Sequence, residues 1–120
     1  MKISNSILAH LQQRRRQVRY RELIGQEAKI GGQLFGPVSP GTRREFFCLD
    51  EHTWVWHEEY RNQSGEIASK TTRYEVGPTR ILKVQNGQYY TLDQEEAQRL
   101  RQAANLYYQK VQSQLYQNVV

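Results

Sequence analysis

Between Glu45 and Leu92 the chain alternates in polarity with a period of two, and each interruption is a cluster of turn-forming residues. That pattern fits antiparallel strands joined by short turns, because alternate side chains of a strand point to opposite faces of its sheet. The clearest piece is "RILKVQNGQYYTL", residues 80 to 92, where Asn86-Gly87 is the preferred pair for a two-residue type I′ turn. Upstream, "EFFCLDEHTWVWHEEY" splits into two strands around Glu51 and His52. A turn there pairs Leu49 with Trp54 and Phe47 with Trp56, which sets four large side chains on one face. "NQSG" leads into "EIASKTTRYEV", whose Thr71, Thr72, Tyr74 and Val76 favour a strand. "GPT" ends it, since Pro78 cannot donate to a ladder and restricts Gly77.

Helical signals flank this region. After Leu92, Asp93 is a good N-cap with Glu96 as its capping-box partner, and Leu92 with Ala97 forms a hydrophobic staple. Ala97, Leu100, Ala104, Tyr107, Val111 and Leu115 then step by three and four, giving one apolar face to lay on a sheet. Before the strands, Ile7, Leu8, Leu11, Val18, Leu23 and Ile24 follow an interrupted helical stripe that Ser4, Asn5 or Ser6 can cap. "GGQLFGPVSPG", residues 31 to 41, reads as a loop or strap pinned by Leu34 and Phe35. The expectation is one α+β domain over residues 1–120: a basic N-terminal helix (1–30), an extended strap (31–44), an antiparallel meander of about five strands (45–92) and a C-terminal amphipathic helix (93–118) packed on the sheet. Only 38% of residues are hydrophobic, but eight tyrosines, three phenylalanines and two tryptophans supply enough bulk for a core.

Charge is distributed unevenly. The net charge is +5, yet residues 31 to 120 hold ten basic and ten acidic side chains, so the whole excess lies in the first thirty residues. "HLQQRRRQVRYREL", residues 10 to 23, concentrates Arg14, Arg15, Arg16, Arg19 and Arg21. Arginine forks match phosphate and carboxylate, so this segment is a candidate contact for an acidic partner, nucleic acid or protein; the plain alternative is a solvated helix face. Cys48 is the only cysteine, which leaves no intramolecular disulfide and no thiolate cluster for zinc. The apolar run Ile7-Leu8-Ala9 is too short for a secretory leader and no segment is long enough to span a membrane, so a cytoplasmic location is expected.

Other motifs have bland explanations. "GGQ" at 31 to 33 matches the tripeptide of peptide-release factors, but a glycine loop entering the strap accounts for it. "DEHTWVWHEE" gathers Asp50, Glu51, His52, His57, Glu58 and Glu59 on both faces of a strand, and the zinc-protease spacing is absent, so no metal, cofactor or catalytic residue is assigned. Trp54, Trp56, Tyr60, Phe47, Tyr74, Tyr89 and Tyr90 form an aromatic-rich sheet that could stack bases, although burial under the C-terminal helix explains the tryptophans. Cys48 reads as a buried thiol.

Taken together, "LFGP", "RREFFCLDE", "TWVWHEE", "TTRYEV" and "ILKVQNGQYY" resemble a family of small uncharacterised bacterial proteins, over roughly residues 20 to 118. The resemblance implies a self-standing bacterial domain and no particular chemistry. The function expected first is a non-enzymatic binding module whose basic helix docks on nucleic acid or ribonucleoprotein. Two others stand beside it: a protein-interaction or homo-oligomeric domain, and a small-ligand carrier or enzyme with a pocket between sheet and helix, lined by His57, Glu58 and Tyr60.

Overall fold

The structure, a computed structural model, describes residues 20–116. Helix α1 (Tyr20–Gly32) and a 3-10 turn (Gln33–Phe35) precede strands β1 (Arg43–Asp50), β2 (Thr53–Arg61), β3 (Ile67–Val76), β4 (Ile81–Gln85) and β5 (Gln88–Thr91). Helix α2 (Gln94–Val111) follows and ends in a wider π turn (Gln112–Tyr116). The five strands form one antiparallel meander in chain order. This is the α+β architecture expected from the alternating pattern and its helical flanks. The expected helix upstream of residue 20 lies outside the described residues, as do residues 117 and 118. Among the described residues, no helix is long and apolar enough to cross a membrane.

Local chemistry explains the turns. Asn86 and Gly87 both have positive φ, 51° and 74°, as a type I′ turn requires. Asn62 makes the β2–β3 turn by accepting the backbone N–H groups of Ser64 and Glu66 on its side-chain oxygen, so "NQS" is a turn. Ser39 to Thr42 form a type II turn: Pro40 precedes Gly41 at φ 82°, and Thr42 N donates to the Ser39 carbonyl at 3.0 Å.

The β1–β2 hairpin turns at Glu51 and His52 as expected, with Asp50 opposite Thr53, but its register then slips by one. Leu49 bulges out, so Cys48 pairs with Trp54 and Phe46 with Trp56. One inserted residue exchanges the faces of a strand. Phe46 and Cys48, instead of Phe47 and Leu49, therefore join the tryptophans on the inner face; Phe46, Cys48 and Trp54 are buried, while Leu49 is exposed. The strap is also shorter than expected. Helix α1 runs through Gly32 and β1 begins at Arg43, so residues 36–42 alone make the crossing.

Asp93 caps α2 by accepting Glu96 N at 2.8 Å. The helix buries Ala97, Leu100, Ala103, Ala104, Tyr107 and Val111 against the sheet. Tyr107 packs edge-on to both Trp54 and Phe46, with centroids 5.2 and 6.0 Å away, while Phe46 and Trp54 stack at 5.2 Å. Rings of this size bury large areas and gain from edge-to-face contact, so they form the centre of the core.

Helix α1 lies against edge strand β1 at very close range. A Cβ at Gly31 would stand 1.9 Å from the Phe46 carbonyl oxygen, and one at Gly32 would stand 2.0 Å from that of Arg44. The two glycines thus let a helix cover an edge strand, a place where unpaired backbone groups invite aggregation. One turn earlier, Glu27 is fully buried. Its two carboxylate oxygens accept the phenol O–H groups of Tyr107 and Tyr116, each at 2.6 Å. A buried carboxylate is costly unless hydrogen-bonded, so these contacts hold α1 to α2 and to the π turn.

Two alanine substitutions on α1 should have opposite signs in urea denaturation. Gly31→Ala is expected to cost about 1–3 kcal/mol because backbone must move. Gly25→Ala has nothing within 4 Å of the new methyl group, and is expected to stabilise by about 0.4–1 kcal/mol through the unfolded chain. Tyr116→Phe removes one donor from Glu27 and should cost about 1.5–3 kcal/mol with an unchanged denaturant slope.

Candidate functional site

The inner face of the sheet is only partly covered. By register it carries Trp54 and Trp56 on β2, Lys70, Thr72 and Tyr74 on β3, and Lys83 and Gln85 on β4. Helix α2 seals the end bearing Trp54 and Ile81 with its alanines and Leu100. Toward Trp56, Lys70 and Gln85 the sheet and helix part to leave a cleft of about 460 Å³, with Phe35 at its rim.

One wall is aromatic and held in place. The Phe35 ring stands edge-on to Trp56 at 4.6 Å between centroids. The Arg44 guanidinium lies 5.7 Å from the Trp56 ring centroid, within range of a cation–π contact. That guanidinium is itself fixed, donating from Nε to the Gly32 carbonyl at 2.7 Å and from Nη2 to the Gly36 carbonyl. Arg44 therefore satisfies one carbonyl at the end of α1 and one at the start of the strap, and contacts Trp56 with the same group. Phe46 closes the wall from below.

The floor and the helical wall are polar. Thr72 is buried, and its hydroxyl oxygen accepts from Gln85 Nε2 at 2.7 Å. Lys83 Nζ reaches Glu96 Oε2 at 3.2 Å, tying β4 to α2. Burial first, and the Glu96 carboxylate second, push the Tyr74 phenol above its ordinary range, with Arg99 opposing. A tyrosine phenol already carries its proton at neutral pH and this shift only reinforces that, so Tyr74 can donate a hydrogen bond. Arg99 pairs with Glu95 at 3.1 Å on the exposed helix surface. Lys70 makes no ion pair among the described residues.

The residues singled out from the sequence fall in different places. Arg14, Arg15, Arg16 and Arg19 lie outside the described residues, and Arg21 is exposed on the first turn of α1. His57 belongs to the outer sheet face, with Nδ1 2.6 Å from the Thr71 hydroxyl and Nε2 3.6 Å from Glu59. Glu58 and Tyr60 share the parity of Trp56, but they stand beyond the residues that line the cleft. Cys48 is buried in the core, as expected. Gly31 and Gly32 of "GGQ" serve the helix–strand approach. Among the described residues, no group of three or more His, Cys, Asp or Glu is placed to hold a metal ion.

The cleft-lining residues had a readable signal that a motif search misses. Lys70 and Thr72, and again Lys83 and Gln85, are polar at alternate positions on the parity that faces the helix. A face wholly covered by a helix would carry apolar residues there. Comparison with protein-family models, with curated proteins and with solved structures finds no match to this chain.

The two tryptophans should report the two environments. In a Trp56→Phe variant the remaining Trp54, only 4% exposed, is expected to emit at short wavelength and resist acrylamide quenching. In a Trp54→Phe variant Trp56 should emit further to the red and quench readily. Equal quenching of both would contradict an open cleft.

Proposed function

We propose that the protein is a non-enzymatic binding module that docks on nucleic acid through its basic N-terminal segment. The supporting observation is how charge divides between that segment and the folded body. Residues 20–116 contain twelve basic and twelve acidic side chains, and the five remaining cations are Lys2, Arg14, Arg15, Arg16 and Arg19. Within the body, carboxylates are engaged locally: Glu45 and Glu59 with Arg43, Glu75 with Arg73, Glu96 with Lys83, and Glu95 with Arg99.

A neutral body with a cationic leading segment contacts phosphates without repelling them elsewhere, and releases counterions as it does so. Because Arg14, Arg15 and Arg16 point in three directions around any helix, they suit a groove or a folded RNA surface better than a flat one. Such contacts position a protein on a backbone and carry little sequence preference.

Fluorescence anisotropy with a single-stranded RNA and a duplex DNA, at about 50 and about 200 mM salt, tests this. Affinity should fall steeply with salt. The triple variant R14A/R15A/R16A should flatten the log–log slope by about two to three units, with the same circular dichroism and Tm as the parent. Absence of binding to either probe at low salt would remove the reading.

A further inference from the structure

Among the described residues, the cleft between the sheet and α2 is lined by side chains of the 3-10 turn, β1–β4 and α2. We propose that this cleft binds a small planar aromatic anion, its ring against Trp56 and Phe35 and its carboxylate or phosphate at Lys70 and Arg99.

Size sets the first limit. A volume of about 460 Å³ falls within the range of about 300–1,000 Å³ typical of small-molecule sites. The cleft is bounded by α2 on one side and by β2–β4 on the other, so it receives a compact ligand.

The wall selects a ring. Trp56 contacts both the Arg44 guanidinium and the edge-on Phe35 ring, so its position is set before a ligand arrives. Phe35 is 44% exposed at the rim. A large apolar side chain left in water beside an oriented indole gains from a planar ring that covers both.

The charges select an anion. Lys70, Lys83 and Arg99 line the cleft against the single acid Glu96. The Lys83–Glu96 pair is half-buried and satisfied. Lys70 has no carboxylate partner among the described residues. The Arg99 partner, Glu95, is 83% exposed, and so exposed a pair is weak enough to give way to a better acceptor. A cationic ligand would meet Lys70 and the weakly paired Arg99, whereas an anion gains charge-assisted hydrogen bonds from them. On the floor, the hydrogen-bonded Thr72–Gln85 pair and the protonated Tyr74 phenol offer groups that orient a polar ring substituent.

An aromatic carboxylate and a nucleoside monophosphate share this chemistry, and isothermal titration calorimetry on the full chain separates them. The probes are 2-naphthoate with its neutral amide, AMP with adenosine, and inorganic phosphate alone. One anionic probe is expected to bind at a single site with micromolar to submillimolar Kd, its neutral counterpart about tenfold more weakly or worse, and phosphate alone not measurably. The anion that binds identifies the source.

Lys70→Gln combined with Arg99→Gln should weaken that anion about tenfold or more, whereas Lys110→Gln, on another part of α2, should leave it unchanged, with Tm preserved in both. The R14A/R15A/R16A variant should bind the probe as the parent does, which separates this site from nucleic-acid docking. The proposal is overturned if no probe binds at millimolar concentration, if a neutral probe binds as tightly as its anion, or if the Lys70/Arg99 variant keeps full affinity.

Discussion

The carboxylate of Glu27 joins the two helices into one body. It is fully buried and accepts from two phenols that lie 80 and 89 residues further along the chain. An apolar side chain there would tolerate many rotations of the neighbouring helix. A carboxylate requires two donors at set angles and distances, so it sets how α2 and the π turn sit on α1. Gly31 and Gly32 add the second constraint, pressing the end of α1 onto the carbonyls of β1 where no other residue fits. Tyr107 takes part in both, since its phenol reaches Glu27 and its ring borders Gly31 and the Phe46–Trp54 stack.

That arrangement explains why a cleft exists. Small side chains at Ala97, Ala103 and Ala104 let α2 descend close to the sheet over Trp54 and Ile81. The strands extend beyond the area that one helix covers, and the polar residues of β3 and β4 lie in the uncovered part. Arg44 then serves fold and site together: its contacts with the Gly32 and Gly36 carbonyls anchor the start of the strap, and its charge sits over the Trp56 ring. Structure at the helix–strap junction is thereby coupled to the shape of the aromatic wall.

Electrostatics divide the chain in a different way from packing. The folded body holds equal numbers of basic and acidic side chains, and its exposed pairs, Arg43 with Glu45 and Glu59, Arg73 with Glu75 and Arg99 with Glu95, contribute little stability because water screens them. The five cations in excess over this balance, Lys2, Arg14, Arg15, Arg16 and Arg19, all belong to the first nineteen residues of the sequence.

The meander, its turns, the capped C-terminal helix and the uneven charge were all legible in the sequence, because each depends on neighbours a few residues apart: a period of two, an Asn-Gly pair, an Asp three residues before a Glu. The inner face of β1 was not legible. A single bulge at Leu49 exchanged Phe47 and Leu49 for Phe46 and Cys48, and a bulge is settled by which side chains pack under α2, more than forty residues away. The role of Glu27 was hidden for the same reason, since its partners lie in the last helix and the π turn that follows it. The cleft was half-visible as polar residues at alternate positions, but only the placement of α2 decided which of them line a site and which, like His57, face away. Sequence determined the elements through local geometry; tertiary structure decided faces, contacts and the cleft through distant packing.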